Sequence, residues 1–201
     1  IMFTDIVGYS AMVAKNEKDA LNLLDEHNQL IFPIIESNDG EIIKLIGDAI
    51  FARFQSSRRL IHSAIEIQTK LRDRNSIRSR NESILIRMGL HIGSMIQDGE
   101  EFFGFDINLC SRLEGITQPG SITISEEIYT DIINEKELFH RHIGHVKLRN
   151  IPNPKILYKT YLDLLEYNNE NDQELRDSFL NRGVNIVNID KYKLESTVSL
   201  G

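Results

Sequence analysis

Apolar residues along this chain fall into short strand-like runs and longer helical stripes. Ile1 to Ile6 reads as a buried strand, and "GYS" at 8–10 breaks it. From Lys18 to Ser37, Leu21, Leu24, Ile31 and Ile35 recur at helical spacing. Pro33 lies inside that stripe and predicts a kink or two helical pieces, because an interior proline costs about 3 kcal/mol. "NDG" at 38–40 marks a turn. "GEIIKLIGDAIFARF" at 40–54 then holds two short apolar runs joined by Gly47 and Asp48, which predicts a hairpin. Ser56 to Asn75 predicts a helix with Leu60, Ala64, Ile67 and Leu71 as its stripe, and 76–83 a polar, Arg-rich loop.

Ile84 to Ile96 reads as one long strand, turned by "QDGEE" at 97–101. Asp106 to Ile116 predicts a third helix, stopped by "QPG" at 118–120. "SITIS" predicts a strand. "SEEIYTDII" predicts a helix in which Ser125 caps and Glu126 and Glu127 meet the dipole. Phe139 to Leu148 and Ile156 to Tyr161 read as a final strand pair. The order predicts an α+β fold with a ferredoxin-like βαββαβ core and extra C-terminal α/β elements. Residues 1–165 form the expected folded domain. After Leu165 the composition turns polar and Asn-rich, so 166–201 reads as a linker or tail, with "GVNIVNI" at 183–189 as one more strand, either docked or leading onward.

Composition narrows the function. With 201 residues, 41% apolar and 26% charged, the chain suits one ordinary globular domain. A net charge of −7 excludes nucleic-acid binding by bulk positive charge, so an anionic substrate needs metal ions or individually placed Lys and Arg. The single cysteine, Cys110, forms no intrachain disulfide and reads as a small core residue. No apolar run approaches the roughly 20 residues of a membrane span. The expected setting is the cytoplasm, with no membrane contact by this segment. The abrupt strand-like opening predicts a segment of a longer protein, whose regulatory domains and membrane attachment stay open.

Asp5 ends the first strand and Asp48 sits at the hairpin tip. A ferredoxin-like core sets that strand beside the hairpin, so the two carboxylates can face one another. Two close carboxylates repel unless a cation lies between them, and oxygen ligands of this kind suit Mg²⁺ together with substrate phosphates. Taken singly, Asp48 is also a good turn residue and Asp5 a good helix cap. The "VGYS" turn offers backbone N–H groups to phosphate oxygens. Asn108 and Arg112 stand four apart on one helical face, with Gly104 a turn earlier. They can hold a ribose and a phosphoryl group, or form a solvated face. "HRHIGH" at 140–145 lacks the companions of a zinc site, and the Arg-rich 72–87 stretch lacks the aromatics of an RNA surface.

"FTDIVGYS", "GEIIKLIGDAIFARF", "IRMGLHIG", "EEFFGFDINLCSRLEGITQPGSITIS" and "IGHVKLRNIPNP" occur here in the order and approximate spacing of class III adenylyl/guanylyl cyclase catalytic domains. The resemblance covers Ile1 to about Leu162. It implies two metal ions, Mg²⁺ or Mn²⁺, held by Asp5 and Asp48 with the carbonyl of Ile6 as a further contact. Gly8, Tyr9 and Ser10 match the family's triphosphate cradle. Asn108 resembles its ribose-orienting Asn, and Arg112 its transition-state Arg. Arg149 stands where the family usually has a phosphate-contacting Lys. Lys44 matches the base-reading Lys of adenylyl cyclases, where guanylyl cyclases usually carry Glu. Glu101 matches the partner position, often Asp in adenylyl cyclases and Cys in guanylyl cyclases. The resemblance further implies a head-to-tail homodimer in which acids from one copy meet Lys44, Asn108 and Arg112 of the other. The expected activity is an adenylate cyclase forming 3′,5′-cyclic AMP and pyrophosphate from ATP. The alternatives are a guanylate cyclase and a silent dimerisation or nucleotide-sensing module.

Overall fold

A computed structural model describes residues 1–99 and 101–188. In chain order the elements are β1 (Met2–Ile6), α1 (Tyr9–Lys15), α2 (Glu17–Ser37), β2 (Gly40–Ile46), β3 (Ala49–Phe54), α3 (Ser57–Ser76) and β4 (Ile86–Leu90). A short hairpin of β5 (Ile96–Asp98) and β6 (Glu101–Phe103) follows, then α4 (Phe105–Ile116), β7 (Ile122–Ser125), α5 (Glu126–Ile132), β8 (Phe139–Lys147) and β9 (Lys155–Tyr161). The chain goes on to α6 (Leu164–Asn168), α7 (Asp172–Leu180) and β10 (Asn185–Val187).

Eight strands form one sheet in the order β10-β8-β9-β7-β4-β1-β3-β2. The run β4-β1-β3-β2 is the ferredoxin-like arrangement that the element order predicts, and β7 extends it parallel to β4. Alternation along each strand divides the core. Met2, Ile6, Ile50, Ala52, Met88 and Ile124 bury against α2, α3 and α5. On the opposite face Phe3 and Phe51 pack with Cys110 of α4. Gly89 of β4 makes that packing close: a Cβ there would stand 2.3 Å from the backbone nitrogen of Glu114. Among the described residues no helix is long and apolar enough to cross a membrane.

Several expectations are corrected. The strand expected over 84–96 stops at Leu90. His91 bridges to Ser125 Oγ at 2.8 Å, and Ser94 N–H donates to Asp106 Oδ2 at 2.8 Å, so the chain bends toward the start of α4 and pairs only later, as the β5–β6 hairpin. Ser125 therefore serves His91 and does not cap α5 with its side chain. Helix α2 runs through Pro33 as one element. Pro33 and Gln29 are exposed, so the carbonyl that loses its partner reaches water, while Ile31, Ile34 and Ile35 hold the helix to the sheet. Leu21, assigned to the stripe, is exposed, and Ala20 is buried in its place.

The polar linker expected over 166–201 is, across its described part, folded onto the domain. Helix α7 buries Leu175 and Phe179, leaves Leu180 exposed and is otherwise polar, and β10 pairs antiparallel with β8. Two large apolar side chains four apart suffice to dock a short amphipathic helix, which average composition conceals. The last residue of the 183–189 strand expectation lies outside the described residues.

Candidate active site

Asp5 sits across from Arg87 in the β1–β4 register, so both side chains share the α4 face of the sheet. The Arg87 guanidinium donates to Asp5 Oδ2. Its Nε stands 3.1 Å from Glu114 Oε1, an ion-pair distance that lies off the line of a hydrogen bond. The β2–β3 turn, with Gly47 at φ 64°, brings Asp48 back over the end of β1, where its Oδ2 accepts the Ile6 N–H at 2.9 Å. Burial raises the Asp48 carboxyl above the ordinary range, and the Asp5 charge raises it further, against the Ile6 bond that favours the ionised form. Burial likewise pushes Glu114 up to about 7, with Arg87 opposing and Asp5 and Asp48 reinforcing it.

The described residues hold no group of three or more His, Cys, Asp and Glu side chains arranged around a cation. Asp5, Asp48 and the Ile6 carbonyl are the available oxygen ligands. Two carboxylates drawn together, one of them raised by the other's charge, form a donor set that a divalent cation would relieve. The residues present therefore fit the implied metal. Next along the chain, Gly8 adopts φ 77° and starts α1, and its carbonyl accepts the Ala11 and Met12 N–H groups. Tyr9 packs on the main core close enough to Asp48 that burial and that charge raise its phenol. The Gly8–Ser10 turn thus adjoins the acid pair.

Lys44 owes its direction to a β-bulge. The register passes from Ile42 opposite Ala52 to Lys44 opposite Phe51, leaving Ile43 as the extra residue. Without it Lys44 would face Ile50, which is wholly buried. With it Lys44 lies on the side of Phe51, where its Nζ meets both Glu101 carboxylate oxygens at 2.6 and 2.7 Å. The β5–β6 hairpin that bears Glu101 is set down by Phe102, edge-on to Phe51 at 6.4 Å, while Phe51 stacks on Phe3 at 4.7 Å.

Helix α4 buries Leu109, Cys110 and Leu113 and leaves Asn108 and Arg112 exposed. Arg149 lies in the exposed turn between β8 and β9. Among the described residues none of these three side chains has a hydrogen-bond or ion-pair partner. The sequence-predicted residues thus gather into an acid pair, a lysine–glutamate pair and three unengaged polar groups.

A sequence profile described as the adenylate and guanylate cyclase catalytic domain matches residues 1–162. The chain belongs to this family. It is a nucleotide cyclase catalytic domain. A crystal structure described as an adenylate/guanylate cyclase/hydrolase from Silicibacter pomeroyi is similar at TM-score 0.71 and 30% identity, over 79% of this chain and 94% of that one. The adenylyl cyclase CyaB from P. aeruginosa shares the fold at TM-score 0.67 and 21% identity, over 80% and 91%. The receptor-type guanylate cyclase gcy-13 of Caenorhabditis elegans is 28% identical over 145 residues, 64% of this chain and 14% of that protein. The cyclase domain spans well under half the length of the curated relatives it matches, 26% of one and 16% of another.

Two groups in the cyclase domain's site escape the sequence reading, Arg87 and Glu114. Both carried a signal. Arg87 is a lone cation in the apolar run "ILIRMGL", the same anomaly that marks Lys44. Glu114 follows Cys110 by four, which sets it on the buried side of α4.

Proposed function

We propose that this cyclase domain is an adenylate cyclase that forms 3′,5′-cyclic AMP and pyrophosphate from ATP as a head-to-tail homodimer. The convergence of Asp5 and Asp48 at the end of β1 carries the reading. These carboxylates, with the Ile6 carbonyl, would hold two Mg²⁺ or Mn²⁺ ions. Bound cations supply the charge that favours an ionised ribose 3′-hydroxyl and offsets the charge of departing pyrophosphate. Arg87 keeps Asp5 aligned and balances its charge. The Gly8–Ser10 turn takes the polyphosphate chain through backbone N–H groups at the start of α1. In the reaction the 3′-oxygen bonds to the α-phosphorus as the bond from that phosphorus to the bridging β-oxygen breaks.

Lys44, Asn108 and Arg112 serve the site of the partner copy. Asn108 orients the ribose, and Arg112 offsets charge developing on the α-phosphoryl group. Arg149 takes a terminal phosphate oxygen. That Asn108, Arg112 and Arg149 have no side-chain partner among the described residues supports their use across an interface. Exposed apolar side chains next to Lys44 on β2, on the hairpin that bears Glu101 and at the start of α4 (Leu45, Ile46, Ile96, Phe103 and Phe105) support the same reading. The ATP preference rests on the Lys44–Glu101 pair: the ammonium donates to a ring nitrogen and the carboxylate accepts the adenine amino protons. A guanine presents a carbonyl where adenine has its amino group, which Glu101 repels.

Nucleotide turnover by the purified chain tests this. With Mg²⁺ or Mn²⁺, kcat/KM for ATP is expected to exceed that for GTP by about 10-fold or more. A GTP preference would make this a guanylate cyclase, and no turnover of either, with the fold intact, would make it a sensing or dimerisation module. Asp48→Asn is expected to cut turnover by more than about 100-fold with an unchanged circular-dichroism spectrum.

A further inference from the structure

Residues 163–188 lie beyond the stretch that matches the family, yet part of them shares a core cluster with the helix that bears Asn108 and Arg112. Leu175, Phe179 and Val184 share one buried cluster with Leu109 and Leu113 of α4. Arg182 Nη1 donates to the carbonyl of Ile116 at 3.3 Å, in the last turn of α4, where helix carbonyls lack partners and a cation is favoured. Just past that turn, Gln118 is bonded to Ser178 of α7 on one side and to Lys159 Nζ at 3.3 Å on the other.

The segment is itself fastened to the sheet. Lys159, nearly buried, pairs with Glu170 at 2.9 Å, and Tyr161 Oη donates to the same carboxylate at 2.5 Å. Arg141 meets Asp172 at 2.5 Å and lies over the Tyr167 ring at 4.2 Å. Strand β10 pairs with β8. One side of α4 is therefore seated on Gly89, while its last turn is tied to Arg182 and, through Gln118, to α7.

We propose that residues 164–187 are a positioning clamp on α4, with Phe179 and Arg182 setting where Asn108 and Arg112 stand in the reaction. Those two side chains have no anchors of their own among the described residues, so their placement is that of the α4 backbone. A displacement of a positioning group by about 1 Å can cost up to about 100-fold in rate. The clamp rests on the reading of α4 given under the proposed function. It goes beyond that reading by adding residues from outside the family-matched stretch.

The test uses the full chain with Arg182→Ala, Arg182→Lys and Phe179→Ala, read by steady-state kinetics, thermal unfolding and amide hydrogen exchange. Arg182→Ala is expected to lower kcat about 10-fold with KM for ATP within about 2-fold. It should also speed exchange in the last turn of α4 relative to α3. Arg182→Lys, which still donates to a carbonyl, is expected to recover most of kcat. Phe179→Ala should do the same as Arg182→Ala or more; should it unfold, Arg182→Ala still decides. A folded Arg182→Ala with wild-type kcat, or with unchanged exchange in α4, overturns the clamp. Should the unaltered chain turn over neither ATP nor GTP, the catalytic reading fails. Hydrogen exchange alone then decides whether the segment holds α4.

Discussion

Lys44 shows how much one residue's role depends on backbone detail. Its charge in an apolar strand was legible, and so was Asp48 at a turn, because each breaks the pattern of its neighbours. The bulge at Ile43 was not legible, since nothing in "EIIKLI" distinguishes a regular strand from a bulged one. Truncating Lys44 removes a charged hydrogen-bond donor, a loss of about 1.5–3 kcal/mol. Lys44→Ala is therefore expected to lower kcat/KM for ATP about 10- to 100-fold and to affect GTP less, measured side by side. His140 carries a different prediction. Burial pushes its imidazole down to about 4, and its Nε2 has no hydrogen-bond partner among the described residues. Between that value and about 6.5 the unfolded chain binds a proton that the folded chain refuses, so stability rises with pH across this window and is lost as pH falls through it. Urea titrations at pH 7 and pH 5 should differ by roughly 1–2 kcal/mol from this group, and His140→Phe should remove that part of the difference.

At the scale of elements, α4 is the helix on which the proposed site turns. It lies directly on β4 because Gly89 has no side chain: a Cβ would also stand 2.7 Å from the Cys110 carbonyl. Gly89→Ala forces helix and strand apart, with an expected loss of about 1–3 kcal/mol of stability and a fall in turnover larger than the fraction unfolded explains. Denaturant midpoints and kcat from one preparation check it. The strand and helix order was readable because periods of 2 and 3.6 differ over six or more residues. What escaped was decided by contacts distant in sequence. His91 leaves the strand pattern for Ser125 and Asp106. Helix α7 reads as polar until β8 and α4 are present to cover Leu175 and Phe179.

For the whole molecule, the proposed homodimer makes a demand that no single chain meets. Asp48→Asn spoils the acid half of a site and Arg112→Ala the other half. Each variant alone is expected to be inactive. Mixed in equal amounts they should regain about a quarter of wild-type activity, since half the dimers are mixed and each of those holds one intact site of two. Specific activity should rise with protein concentration in the same assay. Failure to recover on mixing, with both variants folded, would place complete sites within single chains. The sheet adds one more consequence. Strand β2 is one of its two edge strands, and Leu45 and Ile46 on it are exposed. Lys44 is thus also a gatekeeper, keeping an apolar rim from stacking edge to edge with other chains. A variant that removes this charge to test the proposed base reading is expected to lose solubility as well, and fibrillar or amorphous aggregates should form first in the lysine-free proteins.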